Sequence, residues 1–303
     1  MKNLLVILMW IIGAKTIIMT RKDALKGLTS LAGLPIFTSI SNAGNVKHLE
    51  TSGLKHSVCK WCYPDVPFEE LCERSKSYGL DSVELLNPAE WPIVQRYGLT
   101  CAMSNGSPLS IPKGFNNKIY HKKLYGDYSA LIPKAADAGI KNIICFSGNR
   151  DGISDDQGIE NCAVGLDKIV KLGQQYGVTI QMELLNSKVD HPGYMCDRTD
   201  WGVELVEKLG SPNFKLLYDI YHMQIMEGDI IATIRRYHDH IGHYHTGGVP
   251  GRNEIDETQE LNYVAIIKAI IDTGFKGHVA QEFIPKSKTP LGSLEKAVRL
   301  CSV

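Results

Sequence analysis

The sequence lacks an excess of charge of either sign. Lysine and arginine together number 33, and aspartate and glutamate also number 33, so the formal net charge is zero. Proteins that bind nucleic acids usually carry a basic face, because phosphate contacts supply much of their affinity. The balance therefore gives no support to nucleic-acid binding and favours a small-molecule substrate. An apolar fraction of 44% excludes a largely disordered chain.

Long apolar runs are also absent. The run over residues 4–12 is shorter than the roughly 20 residues that cross a bilayer, so no stable membrane span is expected. Residues 1–45 nevertheless follow the order of an export signal, with basic, apolar and small-residue regions in turn. Arg21–Lys22 resembles a twin-arginine signal with one arginine replaced, and translation from Met19 would give a complete signal. We expect export to the periplasm, with a cytoplasmic enzyme bearing an N-terminal extension as the alternative.

The cysteines lack the spacing of a structural zinc site. Cys59 and Cys62 form a CxxC pair, but no second pair completes a four-ligand set. The pair also begins on a predicted strand, whose alternation would direct the two residues to opposite faces. A domain of this size has a core of its own and needs no disulfide framework. We therefore expect most of the eight cysteines to be small buried apolar residues.

Alternation of strands and helices begins near residue 55. Short β-rich runs, each followed by an amphipathic helical stretch, are predicted at residues 56–61, 82–86, 100–103, 142–146, 178–183, 214–219, 241–245 and 278–283. Units of this kind form parallel strands with helical crossovers, and eight of them suit a closed (β/α)8 TIM barrel. The sequence therefore predicts a single catalytic barrel over residues 46–303. A doubly wound open sheet is less favoured, because residues 63–67 lack a glycine-rich phosphate turn.

Polar residues stand at the carboxyl ends of the last four predicted strands. They are Glu183, Asp219, His245 and Glu282. In a βα-barrel these ends ring the catalytic mouth. Three carboxylates converging there would repel one another unless a cation lay between them. Oxygen-rich donors with one imidazole suit Mg²⁺ or Mn²⁺, and the histidine favours Mn²⁺, although zinc remains an alternative.

Three further residues are candidates for binding substrate. His222 follows Asp219 by three positions, and Asn186 follows Glu183 by three positions, both on predicted loops. Each could bond a substrate hydroxyl, or could serve only the local turn. Arg252 follows the seventh predicted strand, where a guanidinium could bind a carboxylate or an oxygenated carbon.

Residues 55–286 resemble the hydroxypyruvate isomerase branch of the xylose isomerase-like barrels, which also contains the tagatose and psicose 3-epimerases. The most specific stretch is LLYDIYHMQIMEGD at residues 216–229. Shorter matching motifs are ELLN at 183–186, PGY at 192–194, IGH at 241–243, VPGR at 249–252 and LNY at 261–263. The resemblance implies a xylose isomerase-like barrel and a metal-dependent isomerase.

The resemblance also assigns roles to residues. It implies that Glu183, Asp219, His245 and Glu282 bind one divalent metal, and that Glu183 and Glu282 are the paired acid and base. The reaction it implies converts hydroxypyruvate to tartronate semialdehyde through a cis-enediolate. Homo-oligomers are common in this family.

The chain departs from the hydroxypyruvate isomerase pattern at three places. Histidine stands at residue 245, where those isomerases tend to have glutamine and the 3-epimerases have histidine. Gly248 replaces an expected aspartate, and Ser187–Lys188 replaces an Asn-Arg pair. A ketose 3-epimerase or another sugar isomerase is therefore an alternative. A lyase or a dehydratase is a further alternative, because the same scaffold would need only a different delivery of protons to the substrate. A non-catalytic sugar-binding barrel and a metal-dependent endonuclease are rivals from other classes.

Overall fold

The computed structural model describes residues 53–303. The predicted export signal over residues 1–45 lies outside these residues and stays a prediction. Within the described part of the chain, no helix combines the length and apolarity that a membrane crossing requires.

Parallel strands form one curved sheet, as the alternating pattern predicts. In chain order they are β1 (Lys55–Cys59), β2 (Ser82–Glu84), β3 (Asn142–Cys145), β4 (Thr179–Glu183), β5 (Phe214–Asp219), β6 (Ile241–Thr246) and β7 (His278–Gln281). Their order across the sheet is β2-β1-β7-β6-β5-β4-β3. The sheet therefore has two edge strands, β2 and β3. The third strand predicted from the sequence, at residues 100–103, must lie between them if the barrel is to close.

Residues 100–105 fill the gap between these edges. On one side the Leu85 amide donates to the Met103 carbonyl at 2.8 Å, and on the other the Ile144 amide donates to the Ser104 carbonyl at 3.0 Å. The segment makes isolated parallel bridges and no regular strand, because the Ala102 amide donates to the Ser82 hydroxyl at 2.8 Å and not to a neighbouring backbone. The predicted third strand is thus irregular, but it occupies the expected position and closes the (β/α)8 TIM barrel.

Helices pack outside the sheet. They are α1 (Phe68–Ser77), α2 (Trp91–Arg96), α3 (His121–Asp137), α4 (Asp155–Tyr176), α5 (Thr199–Leu209), α6 (Ile220–Met226), α7 (Ile230–Tyr237), α8 (Tyr263–Asp272) and α9 (Pro290–Cys301). Helix α6 was not expected from the sequence, which predicted a loop after the sixth strand. It begins directly after β5 because the Asp219 carboxylate caps it, accepting from the His222 amide at 3.2 Å.

All eight cysteines are buried and free, which agrees with their prediction as small apolar core residues. Their placement corrects one detail of the sequence analysis. Cys59 ends β1, but Cys62 lies in the single 3-10 turn Lys60–Cys62 and not on a strand. The first strand is shorter than predicted, and this turn carries Trp61 to the mouth of the barrel.

Gly106 directly follows residues 100–105, which close the barrel, and there is no room for a side chain at this position. A Cβ atom there would lie 2.3 Å from both the Ile144 carbonyl oxygen and the Tyr128 hydroxyl, which are themselves hydrogen-bonded at 2.7 Å. We expect Gly106→Ala to lower the free energy of unfolding by about 2–3 kcal/mol through overpacking. Denaturant unfolding measures this.

Gly126 in α3 provides the matched control, because a Cβ there meets nothing within 4 Å. Gly126→Ala should leave stability unchanged or raise it by up to about 1 kcal/mol, since alanine is the better helix former. Equal stabilities for the two variants would contradict the packing described here.

Candidate active site

The barrel brings the four predicted acidic and imidazole side chains together. Glu183 ends β4, Asp219 ends β5, His245 is the last residue but one of β6, and Glu282 directly follows β7. Their ligand atoms all lie within 4.8 Å of one another, and none of the four residues is more than 4% exposed. The backbone under Glu183 is fixed by Tyr194, whose hydroxyl donates to the Glu183 carbonyl at 2.9 Å.

Glu282 accepts hydrogen bonds from three different side chains. The Trp61 indole donates to its Oε1 at 2.8 Å. At Oε2, the Arg252 guanidinium donates at 2.5 Å and His245 Nδ1 lies at 2.8 Å. Glu183 has fewer contacts: His245 Nδ1 is 3.3 Å from its Oε1, and no described residue forms a hydrogen bond with that oxygen. The two glutamates therefore differ in how many of their oxygens are engaged.

The same contacts separate the titration of the two glutamates. Burial and the neighbouring Glu282 carboxylate raise the pKa of Glu183. Burial would also raise the pKa of Glu282, but Arg252 and His245 hold it well below its ordinary value. A pair of carboxyls whose pKa values are driven apart is typical of an acid and base site.

Arg252 supplies positive charge between the carboxylates. Its Nη2 also lies 3.3 Å from Asp219 Oδ2, and its guanidinium lies 5.0 Å from the Trp61 ring and 5.4 Å from the Tyr221 ring. The loop that carries it is fixed at both sides, since its amide donates to the Gly248 carbonyl at 2.8 Å and its carbonyl accepts from the Ile284 amide at 2.7 Å. Arg252 is thus a half-buried cation at the mouth, with its side chain 13% exposed.

His222 and Asn186 are also brought to the mouth, as a linked pair. His222 lies on α6 and is fully buried. Its Nδ1 is 3.2 Å from the Asn186 amide nitrogen and 2.6 Å from Asn186 Nδ2. Two donors at Nδ1 leave the ring proton on Nε2, which lies 3.7 Å from Asp219 Oδ2 and has no hydrogen-bond partner in the described part of the chain. Burial and the Arg252 charge hold the pKa of His222 well below its ordinary value, so the ring is neutral.

Asn186 is fully engaged within the protein. Its Nδ2 also donates to Asp190 Oδ2 at 2.6 Å, and its Oδ1 accepts from the Val189 and Asp190 amides at 3.0 and 2.9 Å. Lys188 is directed elsewhere, because its Nζ donates to the Ile225 and Met226 carbonyls at the end of α6. Lys188 therefore caps the carboxyl end of α6.

Two residues of this site were not predicted from the sequence. Trp61 lies in the turn directly after β1, and this position at a strand end was the available signal. Glu84 is fully buried at the end of β2 and contacts both His243 and His245. A carboxylate within the apolar run 82–86 was the signal for it, since such a residue is rarely buried without partners.

The donor set fits a divalent cation. Three carboxylates and one imidazole are buried around a common point, and Glu183 Oε1 is a buried oxygen without a partner. Hard divalent ions prefer oxygen ligands, and one imidazole is compatible with Mn²⁺. The arrangement can therefore hold a metal and can transfer protons through two carboxyls.

Residues 72–301 match the family model described as the xylose isomerase-like TIM barrel. The chain belongs to this family. A human protein provisionally named hydroxypyruvate isomerase is 34% identical over 269 residues, which cover 86% of this chain and 88% of the human one. A 2-oxo-tetronate isomerase of Pectobacterium atrosepticum is 26% identical over 76% of this chain and 91% of its own. The alignment to a similarly named Xenopus laevis protein is shorter and spans 47% of that protein.

Solved structures share the fold at lower identity. An AP endonuclease, family 2, from Brucella melitensis has a TM-score of 0.72 at 23% identity, covering 81% of this chain and 97% of that one. D-psicose 3-epimerase from Clostridium cellulolyticum has a TM-score of 0.64 at 19% identity, covering 82% and 96%. These similarities support the fold alone. The family and the named relatives make this chain an isomerase.

Removing the Arg252 charge tests the electrostatic balance at the mouth. We expect Arg252→Met, measured in EDTA, to lose about 3 kcal/mol of unfolding free energy, because Asp219 and Glu282 would lose the cation that contacts them. Lys188→Met is the matched control, since this lysine is exposed in the adjoining loop, and it should cost about 0.5 kcal/mol. Equal losses in chemical denaturation would show that the guanidinium does not balance these carboxylates.

Proposed function

We propose that this protein is a divalent-metal-dependent isomerase of a short 3-hydroxy-2-oxo acid of the hydroxypyruvate type. The observation that carries the proposal is the convergence of Glu183, Asp219, His245 and Glu282 within 4.8 Å at the barrel mouth. The names of relatives that align over most of this chain, hydroxypyruvate isomerase and 2-oxo-tetronate isomerase, support the same substrate class.

These four residues would hold one Mn²⁺ or Mg²⁺. Such an ion, when bound, acts as a Lewis acid that polarises a substrate carbonyl and acidifies the adjoining C–H bond. The protein contributes a dry and preorganised surrounding, since all four ligand residues are at most 4% exposed. Electrostatic interactions are stronger in such a site than in water.

Glu183 is the proposed base. Its unpartnered Oε1 removes the proton from the hydroxyl-bearing carbon, and the substrate becomes a cis-enediolate. Return of the proton to the neighbouring carbon completes the isomerisation, while the hydroxyl proton passes to the former carbonyl oxygen. Glu282 is kept ionised by Arg252, His245 and Trp61, and it is the second carboxyl available for this transfer between oxygens.

The remaining polar groups orient the substrate. His222 presents an unpartnered Nε2–H to the mouth and would donate to a substrate oxygen. Asn186 would act through His222, because its own side-chain groups are already bonded. Arg252 would bind the substrate carboxylate, since its buried Nε has no hydrogen-bond partner among residues 53–303.

A ketose 3-epimerase is the second candidate, favoured by one residue. His245 stands where, by resemblance, the sugar 3-epimerases have histidine and the hydroxypyruvate isomerases have glutamine. Epimerisation returns the proton to the opposite face of the same carbon, so Glu183 and Glu282 would act from opposite sides. The two candidates require different substrates and the same metal ligands.

Deuterium exchange distinguishes the candidates. The full chain, stripped of metal and reloaded with Mn²⁺ or Mg²⁺, would be incubated in D₂O with hydroxypyruvate, 2-oxo-tetronate or a ketose. NMR would follow exchange at the carbon next to the carbonyl. We expect exchange with the hydroxy-oxo acids, and none in EDTA, because the C–H bond must be acidified. Faster exchange at C3 of a ketose would favour the epimerase, and no exchange despite metal binding would contradict both.

Replacing the proposed base gives an independent test. We expect Glu183→Gln to lower kcat by about 10²–10⁴-fold, the range that general base catalysis contributes. Glu260→Gln is the control, because this carboxylate lies on the exposed loop before α8 and bonds only Gln224, and kcat should be unchanged. If Glu183→Gln and Glu282→Gln both retained near-native kcat, the assignment of the two carboxyls would be wrong.

A further inference from the structure

Glu84 lies beneath the four-residue site, inside the barrel. Its Oε1 is 2.8 Å from His243 Nε2 and 2.9 Å from His245 Nε2, and all three side chains are fully buried. The two imidazole rings stand nearly perpendicular, at 81°, with centroids 5.2 Å apart. One carboxylate oxygen therefore lies within hydrogen-bond distance of two rings from the same strand.

This contact determines which nitrogen of His245 carries a proton. An ionised carboxylate can only accept hydrogen bonds, so a bonded Nε2 must be the donor. When a cation takes the place of the Nδ1 proton, the ring keeps a single N–H, which the Glu84 contact places on Nε2, and the Nδ1 lone pair would bind the cation. The Nδ1 atom faces the mouth, 2.8 Å from Glu282 Oε2 and 3.3 Å from Glu183 Oε1.

We propose that Glu84 is a positioning residue that holds His245 as the Nε2–H tautomer, with Nδ1 directed toward the metal. The proposal rests on the metal centre proposed above. A metal-binding histidine generally donates its other N–H to a carboxylate or carbonyl, which fixes the ring and increases its basicity as a ligand. His243 assists by occupying the same oxygen, so that the Glu84 carboxylate cannot rotate away from His245 without losing both contacts.

A second ion is the competing use of the same atoms. Cys59 Sγ lies 3.9 Å from His245 Nε2, and the ligand atoms of Cys59, Glu84 and His245 lie within 4.8 Å of one another. An ion there would be bound by these three protein ligands and would displace the proton from Nε2. The hydrogen bond is favoured because Glu84 Oε1 lies 2.9 Å from His245 Nε2, whereas the Cys59 sulfur lies 3.9 Å from the same nitrogen. Among the described residues Glu84 Oε2 has no partner, so it is the carboxylate oxygen that an ion would use.

Metal affinity measures the positioning. In Mn²⁺ titrations followed by electron paramagnetic resonance, we expect Glu84→Leu to weaken binding about 10–100-fold, the usual effect of losing such a partner. Glu84→Gln should weaken it less, because an amide oxygen still accepts the N–H. Gln181→Leu is the matched control, because Gln181 is also buried inside the barrel but bonds Asn142. The Mn²⁺ affinity of this variant should stay within about two-fold of the wild type.

The tautomer itself provides a readout without turnover. In Mg²⁺-loaded protein with ¹⁵N-labelled histidine, two-dimensional ¹H–¹⁵N spectra should report a protonated Nε2 for His245, identified by its disappearance in His245→Gln. Glu84→Gln, which keeps the volume of the side chain, is the variant for this measurement if Glu84→Leu does not fold. A protonated Nδ1 in the wild type would overturn the proposal.

Two other results would also overturn it. Wild-type Mn²⁺ affinity in both Glu84 variants would show that the carboxylate does not act on His245, and would leave the metal centre intact. A second Mn²⁺ equivalent that Cys59→Ser abolishes would show that Nε2 binds metal and carries no proton. Absence of Mn²⁺ binding in the wild type is distinguishable from these results, since it would remove the metal centre and this inference with it.

Discussion

Burial of three carboxylates at one end of a closed barrel is the constraint on which the rest of the site depends. Glu183, Asp219 and Glu282 are almost fully excluded from water, and charges in such surroundings are stable only when they are paired. Arg252 contacts two of the three carboxylates, and His245 contacts Glu183 and Glu282. The mouth is therefore a balanced cluster of charges and not a set of independent residues.

Hydrogen-bond donors are distributed unequally between Glu282 and Glu183, and this difference gives the two glutamates different chemistry. Glu282 receives donors from three elements, the turn after β1, strand β6 and the loop after β6. Glu183 keeps an oxygen that nothing in the described structure bonds. A carboxylate already saturated with donors is a poor base, whereas a buried and unpartnered one is available to a substrate proton. The proposed division of roles follows from this difference.

A second layer supports the first from inside the barrel. Glu84 forms hydrogen bonds with His243 and His245 below the mouth. Asn186 likewise forms hydrogen bonds with His222. In each case a hydrogen bond to one ring nitrogen determines which nitrogen faces the site. Rotation of either ring would break hydrogen bonds that have no replacement in a dry interior, so the orientation is held before any ligand arrives.

Much of this molecule follows from the sequence alone. The alternation of β-rich runs and amphipathic stretches determined the parallel barrel, since each strand needs a helical crossover to reach its parallel neighbour. The position of Glu183, Asp219, His245 and Glu282 at consecutive strand ends then predicted their convergence, because those ends meet at one mouth. Helix α6 was not predicted, because its first turn depends on the hydrogen bond from the His222 amide to the Asp219 side chain, which the helix propensities of its residues do not include.

Only the tertiary structure decided which charges face one another. Glu84 is separated from His245 by 161 positions, and Trp61 from Glu282 by 221; no local pattern links such residues. Arg252 was predicted to bind substrate, but its contacts with Asp219 and Glu282 depend on the backbone hydrogen bonds to Gly248 and Ile284 that hold its loop over the carboxylates. Sequence periodicity determines which face of an element is buried, but contacts across a barrel depend on register and closure, which exist only once all strands are paired.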